Sequence, residues 1–135
     1  MNQYLRGNLI IKPLCAELYH ERDIYGRMDP YVKVTLGAQT FKTRTANNQP
    51  VNPKWGDALE FRVTSEKEAS VSLWDKDTGS RDDFLGETKI PITPVILSKE
   101  PVSDWFPINR KDKCTGRVLV SFEFFPQKQQ GYAIE

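Results

Sequence analysis

The sequence predicts an all-β protein, an eight-stranded antiparallel Greek-key β-sandwich. Three observations carry that expectation. Apolar residues recur with a period of two nearly throughout, the spacing that lines one face of a strand. Turn-forming clusters separate the runs: GRMDP (26–30), NNQPVNP (47–53), DTGS (77–80) and NRKDKCTG (109–116). The runs are short and return about every ten residues, which is the rhythm of a sandwich or barrel.

The elements follow in order. Leu9 and Ile11 alternate in a first strand over about 7–14, where Pro13, lacking a ladder N–H, marks an edge or a bulge. YVKVTL supports a strand over 30–37 and KTRT one over 39–45. Leu59, Phe61 and Val63 give 57–63, Val71 and Leu73 give 70–75, and Ile90 and Ile92 give 85–92. A seventh strand is expected over 103–108. The strongest run, Val118, Val120, Phe122 and Phe124, gives 116–125. VILSKE (95–100), bracketed by Pro94 and Pro101, is the one candidate helical turn. Residues 1–126 read as a single domain, long enough for a core without metal or disulfide staples, and 127–135 as a frayed tail.

Composition excludes several classes. Nothing approaches 18 consecutive apolar residues, so no transmembrane helix is expected, and MNQYLR is no signal peptide. Neither end carries a lipidation signature. Cys15 and Cys114 are too few for a disulfide framework and read as cytosolic thiols. His20 is the single histidine and belongs to no Ser or Cys constellation, so an enzyme is the weakest reading. No basic stripe with interleaved aromatics points to nucleic acid.

The informative stretch is LWDKDTGSRDDFLG (73–86), with Asp75, Asp77, Asp82 and Asp83 inside nine positions. Two readings compete: a calcium site, because Ca²⁺ takes several carboxylate oxygens from a flexible loop, and a solvated turn, because Asp, Gly and Ser also make turns. An EF-hand is excluded. From Asp75, loop positions 5, 6 and 12 fall on Gly79, Ser80 and Gly86, and the flanks alternate as strands rather than helices. A second loop, RDIYGRMDPYV (22–32), holds Asp23 and Asp29 around Gly26. Two such loops at one end of a sandwich bring five carboxylates together. Unpaired, they cost several kcal/mol of repulsion at an effective dielectric of about 20, which divalent cations would relieve. The net charge is +1, and with five aspartates set aside the remainder carries +6: an acidic tip on a basic body.

At this point the chain resembles the C2 domain, the calcium- and phospholipid-binding β-sandwich. Five motif blocks occur in family order: Asp23 with Asp29-Pro30-Tyr31-Val32, Lys42-Thr43, Asn52-Pro53-Lys54-Trp55, Asp75-Lys76-Asp77, and Asp83-Phe84-Leu85-Gly86. Pro13, and Gly56-Asp57 in place of the usual Asn-Glu, depart from the pattern. The resemblance implies calcium as cofactor, held by the carboxylates of Asp23, Asp29, Asp75, Asp77 and Asp83 with the carbonyls of Arg22 and Lys76. Ser80 and the Arg81 carbonyl fall where some relatives complete a further site. Asp82 has no ligand counterpart and reads as solvated or outer-shell. The run from Gly7 leads directly into the first loop, and GRVLV (116–120) resembles the family's other first strand, which is the permuted, type II order.

The same resemblance implies an anionic phospholipid membrane as partner, with Ile24, Tyr25, Met28 and Arg81 as membrane contacts. Tyr31, Lys33, Lys42, Arg44 and Trp74 would form a phosphoinositide cluster, half present because Thr35 and Thr40 fill two basic positions. A solvated strand face is the plainer reading there. Trp55 and Trp105 read as core or near-core, and Trp74 as either core or site. The expected protein is a cytoplasmic monomer that becomes peripheral to membranes when calcium rises. A calcium-independent protein-interaction module, with a protein partner, is the alternative.

Overall fold

The computed structural model describes residues 6–19 and 28–128. Eight strands alternate along the chain: β1 (Gly7–Leu18), β2 (Pro30–Leu36), β3 (Gln39–Lys42), β4 (Leu59–Val63), β5 (Glu68–Asp75), β6 (Asp83–Pro91), β7 (Val102–Arg110) and β8 (Lys113–Pro126). A five-residue helix, α1 (Thr93–Leu97), lies between β6 and β7. Every pairing is antiparallel, in the order β3-β2-β5-β6-β7-β8-β1-β4. The β6–β7 junction is a single pair, Glu87 with Asn109. There the sheet folds over, so that β3-β2-β5-β6 faces β7-β8-β1-β4.

Between the two layers lies the core. Leu9, Ile11, Val32, Val34, Leu36, Phe61, Val71, Leu73, Ile108, Val118, Val120 and Phe122 all point into it and are almost fully buried. Burying each such side chain stabilises the fold by roughly 1.5–3 kcal/mol. The alternation predicted from sequence is therefore the alternation that packs. Trp55 belongs to this core, its indole N–H donating to the Pro30 carbonyl at 3.0 Å.

Where element bounds depart from expectation, local chemistry explains it. β1 continues to Leu18 because a bulge between Pro13 and Cys15 shifts the register against β8. The inward set changes from Leu9, Ile11 and Pro13 to Ala16 and Leu18, so a strict period of two ends early. β3 stops at Lys42, after which Thr43 turns inward, its Oγ1 accepting from Val32 N–H and donating to the Arg44 carbonyl. α1 begins upstream of the predicted turn because Pro94 suits the first helical turn, where its missing N–H costs nothing. Trp105 is corrected: it is half-buried on the outer face of β7, with the Arg117 guanidinium 4.1 Å from its ring. Its neighbours Phe106 and Ile108 take the inward positions. Cys15 and Cys114 are free thiols.

The two outermost strands close the sandwich on its open side. The Gln39 carboxamide donates to the Arg62 carbonyl and accepts from the Arg62 N–H, both at 2.8 Å, as a neighbouring peptide unit would. Phe41 meets Phe61 edge-on across the same seam, ring centroids 5.2 Å apart.

Antiparallel order puts the β1–β2, β3–β4, β5–β6 and β7–β8 connections at one end of the sandwich. That end depends on close backbone approach at Gly116, where a Cβ would lie 2.3 Å from the Glu17 carbonyl oxygen. Gly116→Ala should therefore lower stability by roughly 1–3 kcal/mol, the cost of overpacking. Urea unfolding measures it, and an unchanged midpoint would show that β1 and β8 can separate freely.

Candidate metal centre and adjoining basic face

Three predicted ligands come from strand ends that the ladder holds side by side. Asp75 closes β5, pairing with Pro30 on one side and Asp83, the first residue of β6, on the other. Asp29 directly precedes β2. Its N–H donates to Asp75 Oδ1 at 2.8 Å and its carbonyl accepts from Lys76 N–H at 2.9 Å, so the two acidic segments are laced together by main chain. Asp29 Oδ1 accepts from Asn48 N–H at 2.6 Å. Asn48 takes a left-handed conformation (φ 57°), which Asn tolerates better than most residues. The connection between β3 and β4 thus supports the acidic end. Sequence reasoning missed this, although the NNQP turn cluster was its visible signal.

The electrostatics suit a cation. Burial pushes the Asp75 carboxyl above the usual carboxylate range, against the Asp29 N–H bond that lowers it; the charges of Asp83, Asp29 and Asp77 push it up further. Asp75 and Asp77 are half-buried and Asp83 is exposed. Among the described residues no three His, Cys, Asp or Glu side chains converge closely enough to hold a metal ion. Asp23 and Arg22, with the proposed contacts Ile24 and Tyr25, lie outside the described residues. The donor set that is described, carboxylates on strand ends and a Gly-containing loop, is hard oxygen chemistry that fits calcium rather than zinc.

Asp82 is corrected. It is half-buried and accepts two hydrogen bonds, from the Tyr31 hydroxyl to Oδ2 at 2.5 Å and from Asp77 N–H to Oδ1 at 3.0 Å. The carboxylate fastens the 76–82 loop to β2, and the Tyr31 hydroxyl holds its own pKa below the ordinary Asp value. Met28 is corrected too. It is 8% exposed, its carbonyl accepts from Gln49 N–H, and it faces the protein rather than a membrane. Ser80 and Arg81 are exposed on the loop.

The basic face begins where the acidic one ends. Tyr31 and Trp74 are cross-strand partners, as are Lys33 and Lys42. Lys42 Nζ lies 5.4 Å from the Tyr31 ring centre and Lys33 Nζ 4.7 Å from that of Trp74, which also packs on Phe84 at 5.1 Å. Aromatic faces attract cations, so the two like charges are held apart over separate rings. The Trp74 N–H donates to Ser72 Oγ at 2.9 Å. Four of the five predicted residues share this patch. Arg44 departs: past the end of β3, its side chain turns to Asp57 (3.6 Å) and to the Trp55 carbonyl (3.1 Å).

Burial first, then the hydrogen bond and charge of Asp82, raises the Tyr31 phenol to about 12. Asp82→Asn removes the charge and should move the Tyr31 titration down toward the ordinary tyrosine value of about 10. Carbon-13 tyrosine NMR across alkaline pH follows it, and an unmoved curve would mean that Asp82 does not bond the phenol in solution.

A model of the C2 domain family matches residues 7–108, and the chain belongs to that family. It is 26% identical over 130 residues to 16 kDa phloem protein 2 of Arabidopsis thaliana, covering 96% of this chain and 88% of that protein. It is 38% identical over 124 residues to Extended synaptotagmin-3 of Homo sapiens, covering 87% of this chain. The chain spans only 13% of that relative's length. Among solved structures, a C2 domain-containing protein from a putative elicitor-responsive gene superposes with a TM-score of 0.81 at 26% identity, covering 94% of each chain. A calcium-bound pair of C2 domains from Extended-Synaptotagmin 2 superposes at 0.74 and 25% identity, covering 91% of this chain and 47% of that one.

Proposed function

Because the chain is a C2 domain, we propose that it binds calcium at the acidic end and, through it, anionic phospholipid membranes. One observation carries the reading: Asp29, Asp75, Asp77 and Asp83 are gathered at one end of the sandwich, with the Asp75 carboxyl raised by burial and by its three acidic neighbours. Such a cluster disfavours its own charge until a cation offsets it. Asp23 would complete the carboxylates, with the carbonyls of Arg22 and Lys76 and, for a further ion, Ser80 and Arg81. Bound calcium would supply positive charge and open coordination positions that lipid phosphate oxygens can fill.

The chain's own residues do the rest. Asp82 and Asn48 hold the loops in place around the acidic end. Lys33 and Lys42, fixed over Trp74 and Tyr31, offer ammonium donors to a phosphorylated headgroup. Ile24 and Tyr25 would enter the headgroup region at the rim of the charge. With β1 running straight into the 19–29 connection and β8 beside it, the strand order fits the permuted, type II arrangement. No helix among the described residues is long and apolar enough to cross a membrane. The family is one of binding domains, and the reading makes this protein non-catalytic, cytoplasmic, and peripheral to membranes when calcium rises.

Asp75→Asn with Asp77→Asn should abolish calcium heat in titration calorimetry. In chelator the variant should be at least as stable as wild type, because two repelling charges are gone. A large loss of stability instead would make these carboxylates structural. Calorimetry of wild type with and without vesicles tests the function itself.

Calcium-dependent vesicle binding should favour anionic over zwitterionic lipid and weaken with salt, since attraction between exposed charges is screened over about 8–10 Å. Tight binding to pure phosphatidylcholine at high salt, read by co-sedimentation, would overturn the charge basis of this reading.

A further inference from the structure

The β7–β8 hairpin carries charge that the metal centre does not use. Its tip is Arg110, Lys111, Asp112 and Lys113, with Arg110 paired to Lys113 across a two-residue turn. Six consecutive residues, Asn109 to Cys114, are exposed. Both turn residues are left-handed, Lys111 at φ 53° and Asp112 at φ 64°. That conformation defines a type I′ turn, whose preferred pair is Asn-Gly. A lysine held there is backbone strain kept at an exposed cation, an outlier that points to use rather than to folding.

The position of the hairpin is fixed by its base. Thr115 Oγ1 donates to the Leu85 carbonyl at 2.8 Å, two residues after Asp83, and the Thr115 carbonyl accepts from Tyr19 N–H at 2.9 Å. The hairpin therefore rises between the start of β6 and the end of β1, flanked by the strands that lead into both acidic loops. At the opposite end the strand connections carry Glu66, Lys67, Lys99 and Glu100, which balance.

We infer that Arg110, Lys111 and Lys113 form a further contact for anionic bilayer, set at the same end of the sandwich as Asp75 and Asp83 and needing no metal of its own. The inference deepens the membrane reading above and rests on it. Charge complementarity selects the occupant. A flat anionic surface that meets the loop end meets these cations at the same time, and polybasic segments near such surfaces each add attraction that salt weakens. Before calcium is present the loops repel anionic lipid while the hairpin attracts it, so the hairpin sets which end of the sandwich faces the membrane.

The test uses the full chain and phosphatidylcholine–phosphatidylserine vesicles. Arg110→Gln, Lys111→Gln and Lys113→Gln together should leave calcium affinity without vesicles unchanged, because no ligand is touched. Vesicle affinity in calcium should fall roughly thirty- to a hundredfold, with a shallower dependence on salt. In chelator at low salt, residual binding of wild type should fall in the variant, with Lys33 and Lys42 left to carry what remains. A companion variant, Asp112→Gly, keeps all three cations and relaxes the second turn position. It should melt higher and bind vesicles at least as tightly as wild type does. A triple variant that folds, binds calcium and sediments with vesicles like wild type overturns the inference and leaves the membrane reading standing, which would assign the hairpin to something other than lipid. Loss of vesicle binding in the Asp112→Gly variant overturns it as well, because conformation rather than charge would then matter. Wild type that binds no vesicle under any condition overturns the membrane reading and this inference together.

Discussion

Everything at the loop end depends on the apolar layer between the two half-sheets. Val32, Val34 and Leu36 enter that layer from β2, and Val71 and Leu73 from β5. Because side chains alternate along a strand, committing these residues inward commits Tyr31, Lys33, Ser72 and Trp74 outward. A slip of one residue would exchange the two sets. The basic face is therefore the reverse side of the core. The acidic end is where those same strands stop, with Asp75 one position beyond Trp74. Core packing sets the register, and register sets the distance between opposite charges.

Two kinds of electrostatic work are divided along that register. Asp29, Asp75 and Asp83 lie at neighbouring strand ends, where burial first and then the nearby charges raise the Asp75 carboxyl, an arrangement that favours a cation. Asp82, one residue from Asp83 in sequence, is instead hydrogen-bonded by Tyr31 and Asp77 and held low. Adjacent aspartates thus face different environments, Asp83 exposed and Asp82 half-buried and hydrogen-bonded. Through Tyr31, Asp82 is joined to the ring beneath Lys42, so the acidic loop and the basic face share a hydrogen bond.

Much of this was legible before any coordinates. Alternation of large apolar residues gave six of the eight strands, because a half-buried strand must write its core face at every second position. The order of the acidic motifs gave the loop end. What stayed hidden was whatever breaks period or acts at long range. The bulge after Pro13 moved the inward set of β1 to even positions, which looks like the end of a strand. Met28 reads as an exposed loop residue until the fold brackets it by Gln49 and turns it inward. Arg44 fits the basic face by spacing alone, but β3 ends before it and Asp57 captures it. The two bonds to Asp82 join residues 51 and five positions apart, and no local pattern announces the longer one.

The Gln39 carboxamide has a consequence for ageing. It stands in for a missing strand, presenting a donor to the Arg62 carbonyl and an acceptor to the Arg62 N–H. Hydrolysis of that one amide to the acid would turn the donor into a second oxygen. An oxygen facing a carbonyl repels it, so the bridge between β3 and β4 would weaken and both outer edges would be less covered. Bare edges pair readily with other chains. A single spontaneous chemical event, remote from the metal and the membrane, would thus expose a surface for self-association while leaving every ligand and every lysine in place.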